Sequence, residues 1–457
     1  MKQIHLNAFE MNCVNHLSHG LWAHPTDKRT QYKDPEYWVE IAQLLEKGKF
    51  DAVFLADVIG LYDIYKNSKD PVIETGMQVP ANDPAVVIPL MAAVTKYLGF
   101  ALTSTTTYDH PYPFARRMST LDHITKGRIA WNVVTSALQN SAQNHGYDDL
   151  MDHDKRYEIA DEFLEVCYKL WEGSWEDEAV IADKEKQIYA DPQKVHYINH
   201  EGENFKVLGP HLSEPSIQRT PVIYQAGSSK RGKEFAAKHA ECVFLMSPDP
   251  QIIKKNIEDL RTQAAANGRQ KNQIKAFASL TVIVAPTNEE AERKLAEYTS
   301  YFLPEASFQH FSGSSGYDLS KYEEDEILHY TPTNHNQTAA QQFTKNSHKQ
   351  QTIKEVKEKL SKIGNRGLLA VGTPEKVVDQ MEAWIKETDL DGFNVFQVVS
   401  PDTLKDFVEL VVPELQKRGL FRTEYKESTI RERLFGEGNN RLPKEHLASR
   451  YRKMSVY

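Results

Sequence analysis

The sequence predicts an α/β fold, a (β/α)8 TIM barrel in one domain spanning residues 1–457, with insertions after strands four and seven. Three observations carry that expectation. Eight short apolar runs rich in β-branched residues alternate with stretches of helical period, the pattern of a parallel sheet buried on both faces. Several runs end in hydroxyl, amide or carboxyl residues, where a parallel barrel presents groups to a ligand. No solenoid-length repeat is present, and neither a Walker A loop nor G-x-G-x-x-G occurs, so the chain has no dinucleotide-binding unit of its own.

The elements follow in order. Ile4 to Phe9 reads as strand one, and the Asn- and His-rich segment after it, with Cys13, His16, His19 and His24, belongs at the barrel mouth. The spacing of those histidines matches no tight metal site. Pro35 opens a helix whose apolar face is Trp38, Ile41, Leu44 and Leu45, ending at Lys47-Gly48. Phe50 to Ala56 is strand two and ends on Asp57, a carboxylate either facing the site or serving as a cap or paired structural charge. Tyr62 and Gln78 follow on a long loop. Leu98 to Thr103 is strand three, with a run of hydroxyls from Thr103 to Thr107. Tyr112 to Ser136 then supplies a helix, a Lys126-Gly127 stop, and strand four from Arg128 to Thr135.

His153 to Trp171 is an amphipathic helix with Asp154 as its expected N-cap, and His153 and Tyr157 lie near its positive end. Residues 172–219 lack a clear period and read as an insertion covering one side of the barrel. Pro221 to Tyr224 is strand five. The turn Gln225-Ala226-Gly227-Ser228-Ser229 and the helix from Lys230 make an anion cradle, in which Gly lets the backbone approach and Ser adds donors. A well-capped helix is the plainer reading of the same residues. Glu241 to Met246 and Lys275 to Val284 are strands six and seven, each followed by a helix. Residues 301–367 turn polar and break the alternation, which points to a lid. Gly392 to Val399 is strand eight, Thr403 to Gln416 closes the wheel, and a charged extension over about 419–457 is expected on a neighbouring subunit or the barrel base.

Composition narrows the function classes. Asp and Glu number 64 against 55 Lys and Arg, a net charge of -9, which argues against a nucleic-acid binder. Three cysteines, Cys13, Cys167 and Cys242, cannot form a disulfide framework, so a reducing, cytoplasmic setting is expected. The amino-terminal stretch has no apolar signal core, and the longest apolar run, Ala85 to Val94, is broken by Pro89, so no membrane association is expected.

The string Ala115-Arg116, Thr120-Leu121-Asp122, Gly127-Arg128 and Trp131-Asn132-Val133-Val134-Thr135-Ser136 resembles the signature of the bacterial-luciferase-like flavin monooxygenases. It is most similar to the branch holding nitrilotriacetate, dibenzothiophene-sulfone and long-chain alkane monooxygenases, with the best whole-chain likeness to the last. The likeness continues from Ile4 to about Arg452. It implies a two-component enzyme that receives reduced FMN from a separate flavin reductase and uses O2 to insert one oxygen atom into a small organic substrate through a flavin C4a-hydroperoxide. A homodimer or homotetramer is also implied.

By matching positions, Asp57, Thr103, Ser136, Ala137, His153 and Tyr157 would line the flavin ring or ribityl chain. Ala226, Gly227, Ser228 and Ser229 would hold its phosphate, where residue chemistry alone also puts an anion. Cys13, His16, Tyr62, Gln78 and His310 match the substrate pocket; His310 and His16 are expected to titrate near neutrality, so that either one holds or delivers the peroxide proton, a structural histidine being the plainer reading of each. The alkane enzymes carry a histidine where this chain has Ala137, so the likeness does not settle the substrate. F420-dependent hydride transfer and non-catalytic flavin binding are the alternatives, and a metal-dependent hydrolase is a weaker third.

Overall fold

The computed structural model describes residues 2–227, 229–345, 347 and 349–452. Eight parallel strands close into a barrel: β1 (His5–Met11), β2 (Ala52–Ala56), β3 (Gly99–Thr105), β4 (Ile129–Val134), β5 (Val222–Gln225), β6 (Cys242–Leu245), β7 (Lys275–Val284) and β9 (Gly392–Phe396). Each pairs with its neighbours in parallel register, and closure is made by Cys242–Leu245 beside Lys275–Ala278. All eight runs expected from sequence are barrel strands. An additional strand, β8 (Leu368–Gly372), pairs with the second half of β7 and was not expected.

Alternation along the strands sorts the core into two layers. Inward residues fill the barrel, where Phe9 meets Phe54, Phe244 and Phe396 edge-on at 4.8–5.2 Å. Outward residues such as Leu6, Leu55 and Trp131 pack beneath the surrounding helices. Those helices include α1 (Pro35–Lys47), α2 (Pro111–Thr125), α3 (His153–Tyr168), α4 (Lys230–His239), α5 (Pro250–Ala266) and α6 (Asn288–Tyr301). Among the described residues, no helix is long and apolar enough to cross a membrane.

Four expectations change in detail. The N-cap position of α3 is Asp152 rather than Asp154, and the backbone N–H of His153 donates to Asn334 Oδ1 at 3.3 Å, so a distant segment caps this helix. Residues 301–367, expected as a lid, contain regular structure: α7 (Pro304–Ser315) and α8 (Ile353–Leu360) share a small core with Tyr65, Leu319 and Phe343. The 172–219 insertion carries two short antiparallel hairpins, and Tyr189, Tyr197, Leu208 and Leu212 are exposed on it. Of the two places expected for the carboxyl-terminal extension, the barrel base is the one it occupies. Ile430 and Leu434, in the short helix α10 (Ile430–Phe435), enter the inner core, α9 being Pro374–Thr388. A side chain at Gly99 would lie 2.6 Å from Ile430 Cδ1, so glycine there admits the plug.

Candidate active site

The loops following the parallel strands surround a cavity of about 920 Å³, within the roughly 300–1,000 Å³ range of small-molecule sites. Asp57 follows β2, Thr103 lies in β3, Ser136 and Ala137 follow β4, His153 and Tyr157 open α3, and Ala226, Gly227 and Ser229 follow β5. All nine line this one space. Ser228, expected with them, lies outside the described residues. Parallel connectivity explains the convergence, because every strand delivers its following loop to the same end.

At one wall two helix N-termini meet. Ser229 caps α4, its Oγ accepting from the Gly232 N–H at 3.0 Å, and His153 Nε2 at the start of α3 is 3.4 Å from the same Oγ. Each terminus carries N–H groups without intrahelical partners and the positive end of a macrodipole, so the meeting point favours an anion. A Cβ on Gly227 would lie 2.3 Å from Gln225 Nε2 and 2.6 Å from Tyr157 Oη, so only glycine lets the tyrosine hydroxyl rest on this turn. Buried beside it, Gln225 Oε1 and Arg156 Nε have no hydrogen-bond partner in the protein, although both residues line the cavity. Orphaned buried polar atoms cost about 1–3 kcal/mol each, a cost that a ligand with polar groups removes.

The opposite wall is formed by strand ends. Asn132 Nδ2 donates to Thr103 Oγ1 at 3.0 Å, and Ser136 Oγ donates to Thr105 Oγ1 at 2.9 Å. Ser136 has a φ of 47°, an unfavourable backbone state for serine that costs about 1 kcal/mol or more and is found preferentially at functional sites. Asp57 is pushed up to about 7, chiefly by burial, with Asp83 adding repulsion and the Val58 N–H opposing. His335, from the 301–367 insertion, stands beside Ala137 on the same cavity wall. A histidine is therefore present at this wall although residue 137 is not one.

A smaller chamber of about 200 Å³ adjoins the cavity and shares Asp57, Tyr62 and Gln78 with it, while His16 and His310 line the chamber alone. His310 sits edge-on to Tyr62 at 5.0 Å and to His19 at 5.5 Å, and Arg366 Nη2 donates to His310 Nδ1 at 2.6 Å. Since a guanidinium only donates, Nδ1 accepts and neutral His310 carries its proton on Nε2. The two histidines do not titrate near neutrality. Burial, reinforced by Arg366 for His310 and by Arg29 and Arg366 for His16, holds both well below the ordinary histidine value. Cys13 is buried behind the wall and lines neither space, and burial pushes its thiol up to about 12, so it is not a nucleophile near pH 7. Among the described residues, no group of three or more His, Cys, Asp or Glu is arranged for a metal ion.

Arg366, Arg156 and Asn334 escaped the sequence reading. For Arg366 a signal existed: the apolar run Leu368 to Val371 marks a strand, and Arg366 precedes it.

Comparison with known proteins adds a second line of evidence. The sequence profile of the luciferase-like monooxygenases matches residues 16–391. The chain is 54% identical over 455 residues to long-chain alkane monooxygenase of Geobacillus thermodenitrificans (strain NG80-2), covering 99% of each chain. It is 46% identical over 456 residues to dimethyl-sulfide monooxygenase of Hyphomicrobium sulfonivorans, covering 100% of this chain and 95% of that one. Among solved structures, riboflavin lyase with modified FMN and riboflavin superposes with a TM-score of 0.94 at 37% identity, covering 99% of this chain and 100% of the other.

Proposed function

Because this chain belongs to the luciferase-like monooxygenase family and is an enzyme of the monooxygenase class, we propose that it is the oxygenating component of a two-component system. It takes reduced FMN from a separate flavin reductase and places one oxygen atom from O2 in a small organic substrate. One observation carries the cofactor assignment: the N-termini of α3 and α4 meet at Ser229 and His153 on a wall of the cavity that Asp57 also lines. The phosphate then belongs at Gly227 and Ser229, and the ring and ribityl chain belong along Asp57, Thr103, Ser136 and Ala137. Bound reduced FMN supplies the electrons that activate oxygen.

The protein's own groups hold, dry and orient. Gln225 Oε1 and Arg156 Nε–H offer an unpaired acceptor and an unpaired donor beside the cavity. Asp57, pushed up to about 7, is part protonated at neutral pH and able to donate. Neutral His310 presents an Nε2–H in the inner chamber, where the substrate is assigned with Tyr62, Gln78 and His16. Its role is thus a fixed donor rather than a group that gains and loses a proton near pH 7. The 301–367 insertion excludes water, clamped to the start of α3 by Asn334. The exposed Tyr189, Tyr197, Leu208 and Leu212 support a homo-oligomer built through the first insertion.

The test is turnover with chemically reduced FMN and ¹⁸O2 against alkanes, sulfides and organic acids, read by mass spectrometry. A product carrying one labelled oxygen is expected. Failure of every substrate to acquire label, or anaerobic hydride transfer with F420, overturns the reading.

A further inference from the structure

The inner chamber holds a charge that the protein does not answer. Arg366 lies two residues before the start of β8 and lines the chamber. The residue is half-buried. Its guanidinium gives one N–H to neutral His310, at 2.6 Å, and no carboxylate among the described residues lies within ion-pair distance of it. Other buried arginines are answered more fully: Arg431 has Glu241 at 2.7 Å, Arg422 has Asp51 at 2.8 Å and Arg29 has Asp27 at 2.8 Å, while Arg128, Arg269 and Arg433 have no carboxylate but each donate to at least two backbone carbonyls. The three histidines nearest Arg366 bring no counter-charge, since His16, His19 and His310 are all held neutral by burial and by the guanidinium itself. Asp57 also lines the chamber, on the part shared with the larger cavity, yet forms no ion pair with Arg366.

A buried cation without a partner costs several kcal/mol, and a fork of N–H donors fits a carboxylate or sulfonate. The rest of the wall is mixed: Phe9, Met11, Met246, Phe311 and Phe343 supply apolar surface for a chain, and Gln78, Asn336, Gln342 and Asn365 supply amides. We infer that the chamber is built for an amphiphilic organic anion, a short aliphatic chain ending in a carboxylate or sulfonate, with Arg366 as the anchor of its head group. The inference rests on the monooxygenase reading and narrows its substrate: an unsubstituted alkane leaves Arg366 unanswered.

Calorimetric titration of the flavin-free protein tests it without turnover, using hexanoate and hexanesulfonate against hexanamide and hexan-1-ol. The anions are expected to bind roughly tenfold or more tightly than the neutral compounds. Arg366→Met should remove that preference, and Arg366→Lys, which keeps the charge without the fork, should keep part of it. Equal binding of anion and amide, no binding by any of the four, or an anion preference that survives Arg366→Met overturns the inference. If Arg366→Met does not fold, the wild-type preference and the loss measured in Arg366→Lys decide the matter. FMN titrated into the same proteins separates the two claims. Normal FMN affinity without anion preference sinks only the substrate class, whereas absent FMN affinity in the wild type sinks the cofactor assignment.

Discussion

Asp51 and Asp57 bracket one strand, the first just before β2 and the second just after it, and their surroundings are opposite. Asp51, at the amino end of the barrel, accepts from Arg422 Nη2 at 2.8 Å, the Leu6 N–H at 2.8 Å and His5 Nδ1 at 3.1 Å. Burial alone would raise its pKa, but Arg422 and His5 outweigh it and hold the carboxyl well below the usual range. Asp57, at the carboxyl end, has burial and Asp83 pushing the same way and stands at about 7. Two glutamates repeat the contrast. Glu241 at the amino end takes Arg431 through Nε at 2.7 Å and Nη2 at 3.0 Å, whereas Glu10, near the carboxyl end of β1, is pushed up to about 7 by burial that Arg29 and Gln397 only partly offset. The two buried carboxylates at the amino end are thus paired with arginines, and the two beyond it carry raised values. The ion-paired carboxylates lie at the plugged base and Asp57 borders the cavity, the contrast expected where stability is traded for a binding site.

The largest expected effect breaks the well-answered end. Arg431→Met leaves Glu241 buried and unpaired and should cost about 3–5 kcal/mol in urea denaturation, with FMN affinity of the folded protein unchanged. A loss under about 1 kcal/mol removes the basis for calling this end the stabilising one.

The next probes the open end without disturbing the fold. Ser229→Asp keeps a good helix cap, so stability should stay within about 0.5 kcal/mol, while the new charge faces the phosphate and should weaken FMN roughly 100-fold, about 2.7 kcal/mol. Fluorescence quenching reads the affinity. Unchanged affinity places the phosphate elsewhere.

Stability against pH sharpens the contrast through its sign. For Asp51 the folded value lies below the unfolded one of about 3.9, so its stabilisation is present above that pH and is lost as pH falls below it. For Asp57 the folded value is raised, so its favourable contribution is present below about pH 4 and is lost as pH rises toward 7. Asp57→Asn should therefore stabilise the protein by about 1–3 kcal/mol at pH 8 and little at pH 4, while weakening reduced FMN. Parallel denaturation profiles for variant and wild type at the two pH values would contradict the environment assigned to Asp57.

The smallest effect concerns the clamp. Asn334→Ala removes the Asn334 side-chain bonds to the His153 N–H and Asp152 Oδ1 and should cost about 0.5–1 kcal/mol. Limited proteolysis should then cut the 301–367 insertion faster, with FMN affinity falling by less than about tenfold. An unchanged cleavage rate means that other contacts hold the insertion down.

The barrel strands are legible in the sequence because burial on both faces forces unbroken apolar runs, and the cradle because Gly227 and Ser229 are required by local backbone and capping chemistry. The helix α7 is not legible. Its buried face includes Ser307, Gln309, His310, Ser312 and Ser315, so no apolar period marks it, and that face is polar because it borders the site. β8 is different: the apolar run Leu368 to Val371 marks it locally, but eight other strands already complete a barrel and nothing in the sequence calls for a ninth.

By itself, then, the sequence determined the wheel of strands and helices, the end of the barrel at which the cavity lies, and the turn whose chemistry suits an anion, since each follows from residues adjacent along the chain. The tertiary structure decided which groups carry charge. Arg366 meets His310 across 56 residues and His153 meets Ser229 across 76. Proton affinity depends on the dielectric and on charges within a few ångströms in space, and neither is a property of sequence neighbours.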